Sequence, residues 1–201
     1  MTRIEVSIPE GTQGDYTIAH YDAQTQERMW QQYREIKSEP YDNHTVLIKD
    51  SCPMPIMQDS QAEYMEHQWL WDNATGDVLI GGLGIGMVHQ ALIDNPNVTS
   101  VTVVELEQDV VDLVWDHCAK DDTFTLVVAD FETWTPPAGS SFDTVWGDTK
   151  LWDNPLTDDE YQTMIINKYS QFTNNIGFGE AYDILLDTFI CIITHMNTIL
   201  K

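Results

Sequence analysis

Hydrophobic positions along the chain fall into short blocks of two kinds. Val78 to Ile80 is a continuous apolar run of the sort a buried strand shows. Gly82, Gly84 and Gly86 follow at every second position. Met87 to Ile93 then predicts a helix, with Val88, Ala91 and Leu92 on one face. A second apolar run, Val101 to Val104, stops at Glu105. Leu106, Val110, Leu113, Val114 and His117 keep helical spacing and predict an amphipathic helix. Phe124 to Ala129 predicts a third strand, ended by Asp130, and Phe142 to Trp146 a fourth, ended by Gly147-Asp148. Pro155 to Asn175 predicts a helix with Thr157 as cap and Glu160 as its partner three residues on.

The flanks are less regular. Ile4, Val6 and Ile8 alternate with polar residues and predict an extended start, broken by Pro9, Gly11 and Gly14. Met29, Tyr33 and Ile36 predict a helix over Gln24 to Lys37, which Pro40 ends. Thr45 to Ile48 predicts a short strand. Ser60 and Glu63 form a capping-box pattern and predict a helix start. That helix should pack Met65, Trp69 and the turn around Trp71 under the sheet, and bring Met57, Asp59 and Tyr64 to the mouth of a site. Asn174 to Gly179 reads as a loop. Leu185, Phe189, Ile192, Ile193, Met196 and Leu200 fit helical spacing, although their β-branched neighbours also allow a strand.

Strand, glycine turn, helix, strand, acid is the nucleotide-binding βαβ plan. Glycines let backbone approach a ligand closely and start a helix beside it. An acid at the end of the second strand can accept hydrogen bonds from both ribose hydroxyls. Glu105, Asp130 and Asp148 each end a strand, and ligands bind beyond the carboxyl ends of strands in open parallel sheets. The expected architecture is therefore α/β. It is a Rossmann-like, mostly parallel sheet with helices on both faces, over residues 51–201, with a small N-terminal extension over residues 1–50.

Composition narrows the function. The 201 residues suffice for one full core, and 42% are hydrophobic, as in a globular chain. A net charge of −24 repels phosphate backbones, which argues against a nucleic-acid partner and favours cationic small molecules. Cys52, Cys118 and Cys191 are far apart, so neither a disulfide nor a metal site is expected. The six histidines are scattered and read as surface or core residues. No apolar run reaches the ~20 residues of a membrane span and no signal core opens the chain, so a cytoplasmic location and no membrane partner are expected.

The stretch from about Pro55 to Tyr161 resembles the class I S-adenosylmethionine-dependent methyltransferases and the related spermidine synthases. Val78-Leu-Ile-Gly-Gly-Leu-Gly-Ile-Gly86 is similar to the first methyltransferase motif. Val103-Val-Glu-Leu-Glu-Gln-Asp-Val-Val111 is similar to the spermidine synthase stretch after the second strand, and Phe142-Asp-Thr-Val-Trp-Gly-Asp-Thr149 to the fourth-strand motif of both groups. Pro55-Ile-Met57 and Tyr64-Met65 resemble the entry segment of guanidinoacetate-type N-methyltransferases. The resemblance implies that Gly82, Leu83, Gly84 and Gly86 line the methionine part of the donor. It implies that Glu105, with Leu106 beside it, holds the ribose, that Asp130 and Phe131 meet the adenine, and that Asp148 binds the nucleophilic nitrogen as the catalytic acid group.

This chain departs from those families at defined positions. Leu151 stands where spermidine synthases have a second acid, and the next acid is Asp153. Gly84 or Ile85 replaces an acid in their glycine loop, and Gln61 replaces the guanidinoacetate-type glutamate. The usual Pro-Gly-Gly turn is missing after residue 139, so the sheet should be shortened at its C-terminal end.

The expected function is an N-methyltransferase acting on a small cationic amine with S-adenosylmethionine. The alternatives are an aminopropyltransferase using decarboxylated S-adenosylmethionine and a non-catalytic nucleotide-binding module. Met57, Asp59, Tyr64, Trp146, Trp152 and Asp153 are the candidate substrate contacts. Either Trp146 or Trp152 can meet a sulfonium or alkylammonium by cation–π contact, worth ~0.5 to 2 kcal/mol. Lys49 and Lys150 are the cations available to a donor carboxylate. An exposed sheet edge would favour a homodimer.

Overall fold

A computed structural model describes residues 4–22, 43–52, 55–151 and 154–179. The helix expected over 24–37, the tail from Leu185 to Leu200, and Trp152 and Asp153 lie outside the described residues.

Two sheets make up the described fold. The first is an antiparallel meander of β1 (Gly11–Gln13), β2 (Tyr16–Asp22), β3 (Asn43–Lys49) and β4 (Met57–Gln58) in that order. The second is entirely parallel. It contains β5 (Gly76–Gly81), β6 (Val98–Glu105), β7 (Phe124–Val128), β8 (Thr144–Gly147) and β9 (Ile176–Phe178). Its order is β7-β6-β5-β8-β9, so the chain starts in the middle, builds outward one way, then crosses back to build the other side. Val78 pairs with both Val101 of β6 and Thr144 of β8.

Side-chain alternation along β5 divides the core. Val78 and Ile80 point to one face with Val101 and Val103. There they meet α3 (Met87–Leu92) and α4 (Gln108–Val114) through Val88, Leu92, Val110 and Val114. Leu79 and Val145 point to the other face and meet α5 (Asp158–Tyr169) through Tyr161, Ile165 and Tyr169. Helices thus cover both faces of a Rossmann-like sheet, as expected. The antiparallel meander joins the first face: Tyr16, Ile18 and Leu47 are buried in the same cluster as Val78 and Ile80.

Several expectations need correction. Ile4 and Ile8 are buried, but residues 4–10 form no strand. The helix after β6 begins at Gln108, so Leu106 precedes it and is 59% exposed. The helix capped by Ser60 ends at Glu66 as α1 (Gln61–Glu66), and α2 (Gln68–Asn73) restarts after His67. This break leaves Met65 42% exposed rather than packed under the sheet. The stretch read as a loop, 174–179, holds the fifth strand. Thr157 and Glu160 do form the reciprocal capping box at the start of α5.

β9 can lie close to α2 because Gly177 has no side chain. A Cβ there would collide with the Trp69 ring. Gly177→Ala should therefore destabilise the protein by about 2 kcal/mol through overpacking. A chemical-denaturation midpoint within error of wild type would show that Trp69 moves aside without cost.

Candidate functional site

The cleft lies at the carboxyl ends of β5, β6 and β8, where the strand order reverses. It encloses about 240 Å³ and is lined among others by Gly82, Leu83, Gly84, Glu105, Asp130 and Asp148. A crevice at this switch point is where open α/β sheets bind ligands.

The glycine turn is built by backbone geometry that a side chain would resist. Gly82 has φ 94° and Gly84 has φ 53°, both in the left-handed region. Met57 stands directly over Gly84, and its sulfur accepts the Ile85 N–H at 3.3 Å. Gly81 is pressed by Phe131: a Cβ there would lie 2.6 Å from the ring.

Glu105 locks this turn to the end of β6. Oε2 accepts the Leu83 N–H at 2.8 Å and Oε1 accepts the Glu107 N–H at 2.9 Å. The residue is 8% exposed, and burial pushes its carboxyl above the usual carboxylate range, opposed by the Glu107 and Leu83 N–H groups. Each oxygen keeps a second lone pair for a ligand hydroxyl.

Asp130 is spent partly on its own turn. Oδ1 accepts the Glu132 N–H and Oδ2 the Thr133 hydroxyl. Phe131 is buried and stacks on Tyr169 at 4.5 Å, with its ring also lining the cleft. Leu106, exposed at the rim, offers an apolar surface beside Glu105.

Asp148 follows β8, and its backbone N–H reaches the Gly81 carbonyl at 3.3 Å. Its side chain is 38% exposed. Oδ2 lies 3.0 Å from Nε2 of His67, a histidine that its scattered neighbours gave no reason to single out. His67 sits at the break between α1 and α2 and is buried. Its other nitrogen, Nδ1, lies 2.9 Å from the Glu63 carbonyl. The ring stacks on Trp71 (5.4 Å, 15°) and lies tilted against Trp146 (5.3 Å, 35°). Burial lowers the affinity of His67 for a proton, but the Asp148 hydrogen bond and charge, the Glu63 charge and the Glu63 carbonyl outweigh it. The pKa is raised to about 9. The sequence signal is slight: His67 is one of three successive polar residues, Glu66 to Gln68, between Tyr64 and Trp69.

Three expected site residues lie outside the lining of the cleft. Asp59 does not reach the mouth. It is buried, accepts the N–H groups of Thr45 and Val6 at 2.9 and 3.3 Å, and lies 3.5 Å from His44. It ties the N-terminal segment to β3. Tyr64 stacks on Trp71 at 5.8 Å and is not among the residues lining the cleft. Gly86 caps α3 and packs on Cys118, also outside the lining. Trp146 lines the cleft and is fully buried, with the His67 ring tilted beside it at 5.3 Å. Met57 lines the cleft.

The charge of the cleft is predominantly negative. Glu63, Glu105, Glu107, Asp130, Glu132 and Asp148 line it against Lys49, Lys150 and His67. Lys150 pairs with Asp158, and Lys49 lies 3.8 Å from Glu107 and over the Tyr16 ring. Among the described residues no group of three His, Cys, Asp or Glu side chains could hold a metal ion, and no helix is long and apolar enough to cross a membrane.

His67 gives a pH dependence with a definite sign. Its folded pKa of about 9 lies above the unfolded value near 6.5. Its contribution is complete below about pH 6.5 and is lost as pH rises through about 9. The loss should be about 3 kcal/mol at most. Calorimetric melting from pH 6 to 10 should show wild type converging on a less stable His67→Gln variant. Parallel curves would show that His67 holds no extra proton. His89 behaves oppositely: burial, and the Lys120 charge, lower its pKa to about 4, so its contribution is complete above about pH 6.5 and fades as pH falls through 4.

Strand order, crossover connections and cleft together define a doubly wound α/β domain with a cleft at its switch point. No protein-family model and no curated protein matches the sequence. Solved structures similar to this chain are consistently methyltransferases. A proposed RNA methyltransferase from Pyrococcus horikoshii is 17% identical, with 58% of this chain and 59% of that one covered and a TM-score of 0.44. The N-methyltransferase NodS from Bradyrhizobium japonicum is 15% identical, with 62% and 71% covered and a TM-score of 0.46. A dimethyladenosine transferase from Plasmodium falciparum is 13% identical, with 57% and 41% covered and a TM-score of 0.42. The chain thus spans well under two thirds of the length of two of these three. The fold assignment rests on the strand order itself.

Proposed function

We propose that the protein is an S-adenosylmethionine-dependent N-methyltransferase acting on a small amine. The observation that carries this reading is the facing arrangement of Glu105 and Asp148 across one cleft, with the Gly82–Gly84 turn between them. The residues present fit such a donor. Glu105 would receive the ribose hydroxyls, Leu106 and Phe131 would flank the purine with Asp130 at its amino group, and the glycine turn would leave room for the methionine chain. The six cleft carboxylates complement a sulfonium.

The donor supplies a methyl carbon already activated by cationic sulfur. The protein's task is then to hold the acceptor in line, and positioning of this kind can lower a barrier by ~7 to 11 kcal/mol at best. Asp148 would accept a hydrogen bond from the acceptor nitrogen and point its lone pair inward. An acidic cleft on an acidic protein favours a small molecule over nucleic acid as acceptor.

Calorimetric titration with S-adenosylmethionine and with its decarboxylated form tests the reading. Binding of the intact donor in the micromolar range is the expected result. Selective binding of the decarboxylated form would replace methyl transfer with aminopropyl transfer, a reading that the scarcity of cations near the cleft favours. Binding of neither by a folded protein would leave a non-catalytic module.

A further inference from the structure

His67 and Asp148 form a pair whose protonation is fixed by geometry. A carbonyl oxygen can only accept, so Nδ1 of His67 must carry the proton it gives to Glu63 at 2.9 Å. Nε2 faces a carboxylate oxygen at 3.0 Å. An ionised carboxylate also only accepts, so Nε2 must carry a proton too. The alternative, a neutral ring facing a protonated acid, holds the same number of protons. In either form the pair is electrically neutral, and a bare carboxylate beside an unprotonated Nε2 is excluded by the contact.

The surroundings favour the imidazolium form. The Trp71 indole stacks on the ring at 5.4 Å, and the Trp146 indole lies tilted against it at 5.3 Å. Aromatic faces attract a cation, most strongly when both are desolvated. Among the described residues, helix α1 presents Glu63 to the pair, α2 and β8 present the Trp71 and Trp146 rings, and the segment after β8 presents Asp148 itself and Lys150, which is paired with Asp158. From α5 the Tyr161 hydroxyl reaches Thr149, next to Asp148, at 2.8 Å, and burial pushes its pKa up to about 12, so it stays neutral. Oδ1 of Asp148 takes no hydrogen bond among the described residues; it lies beside Gly179, where a Cβ would come within 2.9 Å, and the side chain keeps 38% exposure toward the cleft.

This matters for an amine acceptor. A bare carboxylate attracts the ammonium form, which has no lone pair and cannot be methylated. A carboxylate already paired with a buried cation attracts ammonium less and still offers one oxygen to an N–H. We propose that His67 is a positioning residue, resting on the function proposed above: as an imidazolium it fixes Asp148 through Oδ2, leaves Oδ1 to the acceptor, and biases the site toward an uncharged amine nitrogen.

The first test does not depend on turnover. Nitrogen-15 NMR of the His67 ring in the full chain should show both nitrogens protonated at pH 7, with titration only near pH 9. In Asp148→Asn that titration should fall by one unit or more. A ring that is singly protonated at pH 7 in the wild type, or whose titration ignores Asp148→Asn, overturns the proposal whatever the protein's activity. The second test is the pH profile of His67→Gln with a panel of primary and secondary amines. Gln can still donate to Oδ2 but carries no charge. Its acidic limb should move up by about one pH unit, roughly a tenfold loss at pH 7, with donor affinity by calorimetry unchanged. An unshifted limb would also overturn the proposal. Absence of turnover in the wild type, with the NMR result as expected, would count against the methyltransferase reading and leave the charge state of the pair established.

Discussion

Glu105→Ala should reduce affinity for S-adenosylmethionine by at least about 100-fold, the loss of two hydrogen bonds to a charged group at ~1.5 kcal/mol each. The effect has a second source within the protein. Glu105 accepts the Leu83 and Glu107 N–H groups, so its removal leaves the glycine turn untied from β6. Leu83 is buried, and an unsatisfied buried N–H costs about 1 to 3 kcal/mol. Part of that loss is returned, because a buried carboxylate whose pKa is raised is itself under strain from desolvation. The melting point should therefore fall only modestly while binding collapses. Glu105→Gln should lie between, since its amide keeps one acceptor oxygen and turns a donor toward one of the two N–H groups. Titration calorimetry on all three proteins, with circular dichroism to confirm folding, decides the matter. Undiminished binding by a folded Glu105→Ala would remove the ribose role.

Asp148→Asn should abolish transfer, by about a hundredfold to ten-thousandfold, while donor affinity changes little. The reasoning rests on position. Asp148 ends β8 on the far side of the glycine turn from Glu105, so its side chain can meet an acceptor without touching the ribose site. Asn conserves the shape and keeps one oxygen but loses the charge that stabilises the ammonium product. His67 should respond by releasing its proton, because a buried cation left without its partner is costly. Transfer of a labelled methyl group to any amine that wild type accepts is the measurement. Full activity in Asp148→Asn would move the acceptor site elsewhere in the cleft and favour a binding role for this carboxylate.

Much of the sheet could be read from local pattern. β5, β6, β7 and β8 are apolar runs between turn signals, and the Thr157–Glu160 box marks the start of α5 within a residue. The place of Glu105 at the end of β6 beside the glycine turn was legible because residues 78–105 are close in sequence. The failures share a cause, which is that partners lay far along the chain. Ile176–Phe178 is too short for a period, and it becomes a strand only because Val145 to Gly147 lie alongside it. Asp59 was placed at the mouth by its neighbours Met57 and Tyr64, but the N–H groups of Thr45 and Val6 claim it. His67 is the clearest case. A lone histidine carries no motif, and what gives it chemistry is a carboxylate just after β8, with α3, β6, α4 and β7 between that strand and the glycine turn. Ile4 to Ile8 differs the other way: alternation is present, but the Val6 and Ile8 backbone groups meet side chains of Asp59, Thr45 and His20 instead of a ladder of backbone partners.

The middle position of β5 also sets the order in which the molecule can assemble. Its first neighbour, β6, follows after one short helix, but its second, β8, arrives only after β7 and a long connection. Pairings between distant segments are slow to form because the intervening chain must first be confined. A chain emerging from the ribosome would thus hold a half-built sheet, with Leu79 and Ile80 already strand-like and one flank of β5 bare, until residue 147 is free. The Glu105 half of the cleft would exist before the Asp148 half. During that interval the nascent chain presents an open, apolar strand edge, the feature most apt to recruit a chaperone.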